Sequence, residues 1–153
     1  MRLFRTAYLL CGDHGVAEDL TQEALIAVAR RWVRLEHQDP YGYARRTVVN
    51  ATISRWRRHG REVLVAAPPD RAGDESLEVP AEQRAMLGTA LARLTASQRA
   101  VLVLRFYDDL SEAQTAAVLE VSIGTVKSQT HAALHRLREA APELGGLIGR
   151  TSP

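Results

Sequence analysis

The chain has 153 residues, 46% of them apolar and 25% charged, a composition of ordinary water-soluble globular protein in one domain or two small ones. No apolar run suits a membrane span and no secretory leader is expected, while the lone Cys11 excludes a disulfide framework or a multi-cysteine metal site. The net charge of +2 hides an asymmetry: Arg45 to Arg61 holds six arginines and no acid, and Glu62 to Gln83 holds six acids against Arg71 alone. The first stretch suits a polyanion and the second would repel one.

Taken in chain order, Leu3, Tyr8, Leu9 and Leu10 form the apolar side of a short first helix closed by Gly12. A second helix is expected from Val16 to Trp32, with Val16, Leu20, Leu25, Val28 and Trp32 at helical spacing and Trp32 in the core. Asp39-Pro40 is a start signal, an N-cap before a proline at the first helical position, and the helix it opens runs to His59-Gly60. Leu64 to Pro80 then carries three prolines, a glycine and four acids, the composition of an extended linker. The expected organisation is therefore residues 1–61 and 81–142 as two small all-helical domains, 62–80 as the acidic linker and 143–153 as a tail. Domains this small have marginal cores, so each depends on something else for part of its stability.

The second domain has sharper punctuation. Thr95 to Gln98 and Ser111 to Gln114 both fit the capping box, and Val101, Leu102, Leu104 and Phe106 supply a buried helix between them. A short helix from Ser111 to Leu119, a turn at Glu120-Val121 and a longer helix capped by Ser122 make a helix-turn-helix pattern. Val126, Ala133, Leu134 and Leu137 fall on the inner face of the last helix. Ser122, Thr125, Lys127 and Ser128 at its leading end are small polar or cationic groups suited to phosphates and base edges. A three-helix packing unit with a solvated polar face fits these residues nearly as well.

Two longer stretches add specificity. Leu94 to Ala113 followed by Val121 to Ser128 resembles region 4 of bacterial RNA polymerase sigma factors. Ala17-Glu-Asp-Leu-Thr-Gln-Glu-Ala-Leu, then Asp39-Pro-Tyr-Gly-Tyr-Ala-Arg-Arg-Thr-Val-Val-Asn50, then Trp56-Arg-Arg resemble region 2. The likeness is to the extracytoplasmic-function group of the sigma-70 family, SigE-like actinobacterial type, and the two regions occur in the family's order across a linker.

That resemblance implies an all-α protein, a region 2 helical bundle and a region 4 helix-turn-helix joined by a flexible acidic linker. It implies a factor without catalysis or cofactor that binds core RNA polymerase, through the β′ clamp and β flap, and directs promoter recognition and initiation. An anti-sigma factor as regulator and a cytoplasmic location are implied with it. The Asp-Leu-x-Gln-Glu pattern places core-binding residues at Asp19, Leu20, Gln22 and Glu23; for Asp19 and Glu23, charge complementarity with a helix N-terminus is the simpler alternative. The family's −10 contacts fall on His37, Gln38, Asp39, Tyr43, Arg45, Arg46, Asn50, Arg55, Arg57 and Arg58, with Tyr41 or Tyr43 stacking on a flipped base. Arg45 pointing inward or pairing with Glu36 is the alternative at that position. The −35 contacts fall on Ser122, Thr125, Lys127, Ser128, Gln129 and His131. The linker would thread towards the RNA exit path.

Departures from the family pattern are informative. Gln129 stands where arginine is usual, Ala132 where a basic residue is common and Glu120 where the turn has glycine, so either a reduced promoter affinity through this domain or an unusual promoter element is expected. The family's first helix extends upstream of the Leu-x-Arg-x-Ala-Tyr segment, and here Met1 falls almost within it, which fits a late start codon or a shortened paralogue equally. A stand-alone helix-turn-helix regulator is the competing function, but it needs neither the Asp-Leu-x-Gln-Glu pattern nor the Asn50 segment. An enzyme finds little support: His14, His37, His59, His131 and His135 form no metal-ligand grouping, although the last two lie one helical turn apart.

Overall fold

Helix boundaries in this chain follow from local punctuation. The structure is a computed structural model that describes residues 2–59, 81–140 and 142, so the expected linker at 62–80 and tail at 143–153 lie outside the described residues. Helix α1 (Arg2–Cys11) stops at Gly12, whose φ of 73° is left-handed and whose N–H donates to the Tyr8 carbonyl at 2.7 Å. Asp13 caps α2 (His14–Ala29) by accepting the Val16 N–H at 2.8 Å. After a break at Arg30-Arg31 comes the single turn α3 (Trp32–Leu35). Helix α4 (Pro40–His59) opens as expected, with the Asp39 carboxylate accepting the Gly42 N–H at 2.8 Å.

The second half contains α5 (Ala81–Ala92), for which the sequence has no sharp start signal, and α6 (Ala96–Leu102), whose Thr95–Gln98 capping box is formed. The chain continues from α6 into a π-helical turn, Val103–Tyr107. The Ser111–Gln114 capping box then starts α7 (Glu112–Leu119), and α8 (Ile123–Ala140) follows.

Two core assignments need correction. Trp32 is 51% exposed, because the break after Ala29 ends the α2 register and leaves Leu35 as the inward residue of α3. The buried stripe of α2 runs through Ala17, Leu20, Thr21, Ala24 and Val28, so Leu25 also faces outward. Phe106 is 37% exposed. The π turn adds a residue per turn and rotates it away, while Val103 and Leu104 stay inside.

The N-terminal lobe (α1–α4) and the C-terminal lobe (α5–α8) share a core. Leu3, Ala7, Leu10, Val48 and Val49 from the first cluster with Ala100, Val103, Leu104, Leu110 and Val118 from the second. Helix α4 packs on α1 and α2 and also meets α6 and α7. A second cluster of Ala90, Leu91, Leu94, Leu102, Ala133 and Leu137 ties α8 to α5 and α6, and Val101, Ala116 and Val126 pack beneath the helix-turn-helix. Each lobe is thus the other's source of added burial.

The joint has a polar component as well. Arg99, 2% exposed, donates from Nε to the Leu91 carbonyl at 3.0 Å and from Nη1 to the Leu10 carbonyl at 3.2 Å, so it closes the C-terminal ends of α5 and α1 together. Burial pushes its guanidinium down to about 10. Across the same joint, the Thr6 hydroxyl donates to the Asp108 carboxylate at 3.1 Å, and Arg2 Nη2 donates to the Tyr107 carbonyl at 3.0 Å.

Candidate nucleic-acid and partner interfaces

Helix α2 presents an outer stripe. Asp19, Gln22 and Glu23 are exposed at one-turn spacing, while Leu20 lies in the shared core and acts only from beneath. Ile26, 51% exposed, extends the stripe by another turn and was not singled out in the sequence. Its place off the buried stripe was readable from the helical period, since Ala17, Leu20, Thr21, Ala24 and Val28 define the inner face.

The loop into α4 and the outer face of that helix hold the expected −10 residues. His37 and Gln38 are exposed, with His37 Nε2 lying 3.6 Å from the Glu36 carboxylate. The Asp39 carboxylate is engaged as the α4 cap. A Cβ on Gly42 would collide with it, so the glycine is what lets the carboxylate fold back over the helix start. Arg46, Asn50, Arg55, Arg57 and Arg58 are exposed on α4, opposite its buried Ala44, Val48, Val49 and Thr52. Tyr43 is half-buried with the Arg31 guanidinium 5.5 Å from its ring centre, whereas Tyr41 is the more open ring. Burial raises the Tyr41 phenol above its ordinary value, and the Asp108 charge adds to the effect. An apolar hollow of about 210 Å³ lies beside it, lined by Leu25, Val28, Pro40, Tyr41 and Ala44 together with Arg2 and Leu3.

Arg45 departs from this pattern. It is half-buried, its guanidinium lies 5.5 Å from the Tyr41 ring centre, and its Nε is buried with no hydrogen-bond partner among the described residues. It feels the Asp108 charge from the other lobe rather than pairing with Glu36.

At the helix-turn-helix, the Ser122 Oγ accepts the Thr125 N–H at 3.0 Å and shares a 2.9 Å hydrogen bond with the Thr125 hydroxyl. Ser122, Thr125, Lys127, Ser128 and His131 are exposed along the leading face of α8, and Gln129 and Ala132 are half-buried behind it. Glu112 at the start of α7 lies 3.6 Å from the Lys127 ammonium and 3.3 Å from the Arg105 guanidinium, which steadies the lysine on the leading face of α8. Glu120 adopts the left-handed conformation with φ 57°, ψ 43°, where a glycine would turn without strain. Among the described residues no cluster of three or more His, Cys, Asp or Glu suits a metal ion, and no helix is long and apolar enough to cross a membrane.

The chain matches the family described as Sigma-70 region 2 over residues 1–62 and Sigma-70, region 4 over residues 90–139. It is 41% identical to the RNA polymerase sigma-E factor of Streptomyces avermitilis over 139 residues, covering 90% of this chain and 77% of that one. It belongs to the extracytoplasmic-function sigma factors. A second relative, the ECF RNA polymerase sigma factor SigL of Mycobacterium tuberculosis, is 36% identical over 155 residues, covering 94% of this sigma factor and 84% of its own length. Among solved structures, the sigma factor RpoE of Bartonella quintana, in complex with the anti-sigma factor NepR, superposes with a TM-score of 0.72 at 27% identity. That match covers 92% of this chain and 89% of RpoE, so it takes in both lobes. The sigma factor directs transcription initiation, and the stand-alone regulator is not favoured.

Proposed function

We propose that this sigma factor docks on the β′ clamp of core RNA polymerase through Asp19, Gln22, Glu23 and Ile26, and reads promoter DNA at two places. The loop from His37 to Tyr41 and the basic face of α4 take the −10 element; the leading face of α8 takes the −35 element, with the β flap meeting the C-terminal lobe. Residues 62–80 serve as the tether between them. The factor works in the cytoplasm and performs no catalysis of its own. An anti-sigma factor of the kind that NepR is for RpoE is its regulator.

The observation that carries this reading is the division of the N-terminal lobe. Helices α2 and α4 bury their inner stripes against each other and leave an acidic stripe on one outer face and a basic one on the other. An acidic face suits a protein partner, and a basic face suits phosphate.

A pull-down with core polymerase followed by run-off transcription tests the reading. The expected outcome is stable core association and promoter-dependent transcript. Combining Asp19→Ala with Gln22→Ala is expected to weaken core affinity at least tenfold, about 1.4 kcal/mol or more, with helix content unchanged. Unchanged affinity would remove the docking assignment.

A further inference from the structure

Trp32 stands on a piece of surface that neither the α2 stripe nor the −10 face uses. From Ala24 to Leu35 the chain has no acidic residue, and it ends in Arg30-Arg31-Trp32-Val33-Arg34-Leu35. Of these six only Leu35 is buried; the three arginines are exposed, and Trp32 and Val33 are exposed by 51% and 83%. The turn that displays them is held by its own backbone. The Arg31 N–H donates to the Val28 carbonyl at 3.0 Å, the Arg34 N–H to the Arg31 carbonyl at 2.9 Å and the Glu36 N–H to the Trp32 carbonyl at 2.8 Å. Among the described residues Trp32 is the most exposed of the Phe, Tyr and Trp side chains. The rings of Tyr41 and Tyr43 already carry guanidinium groups, those of Arg45 and Arg31, each 5.5 Å from the ring centre. Arg31 thereby joins the turn to the −10 face.

We propose that the turn from Arg30 to Arg34 is a single-stranded nucleic-acid site, on which Trp32 stacks one unpaired base while Arg30 and Arg34 bind the phosphates beside it. The proposal rests on the promoter-reading function given above only for the source of the strand, the DNA unpaired next to the −10 element. Charge decides against a shared polymerase surface: one that suits the acidic stripe of α2 is basic, and here it would meet three more cations. A duplex presents only base edges in its grooves, whereas an unpaired strand offers an indole the open face of a base along with its phosphates. Stacking accepts any base, so this site adds affinity without sequence preference, beside a loop whose His37 and Gln38 are placed to read edges. Only Leu35 and Glu36 separate Arg34 from His37, so one strand passes from one to the other without leaving the surface.

Trp32 reports on the site by its own fluorescence. The chain has two tryptophans, so Trp56→Phe leaves Trp32 as the sole emitter. Titrating this full chain with oligothymidylate, which carries no base pattern, is expected to quench the emission to saturation, and a duplex of equal length to leave it nearly unchanged. With labelled oligothymidylate and Trp56 restored, Trp32→Ala is expected to weaken binding about tenfold and Trp32→Phe to retain most of it. Arg30→Ala combined with Arg34→Ala is expected to flatten the log–log salt dependence by about 1.4, or about 0.7 for each arginine. Emission indifferent to the oligonucleotide, equal quenching by the duplex, or native affinity in Trp32→Ala would overturn the proposal. The emission measurement leaves Trp32 itself in place, so it decides even where a substitution there disturbs the fold. Should Trp32→Ala keep its DNA affinity and lose core polymerase in a pull-down, the occupant is a protein and the site is not for nucleic acid. Arg57→Ala combined with Arg58→Ala separates this result from the promoter reading. Weaker DNA binding there, with Trp32→Ala unaffected, removes the stacking site alone; no loss in either removes DNA binding by this lobe, and the proposal with it.

Discussion

Asp39 illustrates how a residue expected at the DNA is first committed to the fold. Its carboxylate caps α4 only because Gly42 leaves room for it. Gly42→Ala is therefore expected to expel the cap and destabilise the protein by about 1 kcal/mol, the ordinary value of an N-cap. Asp39→Ala is expected to cost about as much, and the double variant little more than either alone. Urea unfolding of the three variants checks this, and additive losses would contradict the shared mechanism. Glu120 carries the opposite prediction. A left-handed non-glycine residue is strained by roughly 1–2 kcal/mol, so Glu120→Gly is expected to stabilise the protein by about 1 kcal/mol, net of the glycine's own entropy. The midpoint of the same urea transition measures it.

At the scale of elements, the boundaries of α1, α4, α6, α7 and α8 were legible because each is marked by a cap within a few residues: Gly12, Asp39-Pro40, Thr95, Ser111 and Ser122. The misreadings share a cause. Trp32 and Phe106 were placed by extending a helical period through a break and through a π turn, and no local signal marks either interruption. The arginines of α4 and the polar leading end of α8 were legible from charge and period, and the outer residues of α2 from the family resemblance. The burial of Leu20 was legible from its place on the apolar spacing of the second helix, and an inward Arg45 was one of two alternatives that only the packing across from it decides. On helix α8 the half-buried Gln129 and Ala132 offer no cation to a phosphate. Ala132→Arg is expected to tighten DNA binding and to steepen its dependence on salt by about one phosphate contact, a slope change near 0.9 on a log–log plot. Fluorescence anisotropy across a salt series reads it.

For the whole molecule, the joint between lobes sets a pH response. Burial raises the Asp108 carboxyl above the ordinary 3.8, outweighing the Thr6 hydrogen bond and the Arg45 and Arg2 charges. Arg2, Arg45, Tyr41 and Asp109 are the charged and titratable groups around it. A raised carboxyl binds more protons closed than open, so its contribution to closure is full below the open-form value and is lost as pH rises through the closed-form value. With one dye placed on each lobe, energy transfer is expected to increase as pH falls towards the carboxylate range, and Asp108→Asn is expected to remain closed without that slope. The shared core, formed by residues as far apart in the chain as Leu3 and Val118, left no mark in the sequence because nothing local encodes which lobe covers which.

Arg99 gives this joint a temperature coefficient. Parting the lobes releases the Leu10 carbonyl and lets water reach one edge of a guanidinium that is otherwise dry. Hydration of an ion carries negative entropy, so the gain from wetting Arg99 shrinks on warming, while burial of the apolar residues around it weakens on cooling. Both effects act in the same direction: chilling loosens the molecule at its waist, and warmth holds it shut.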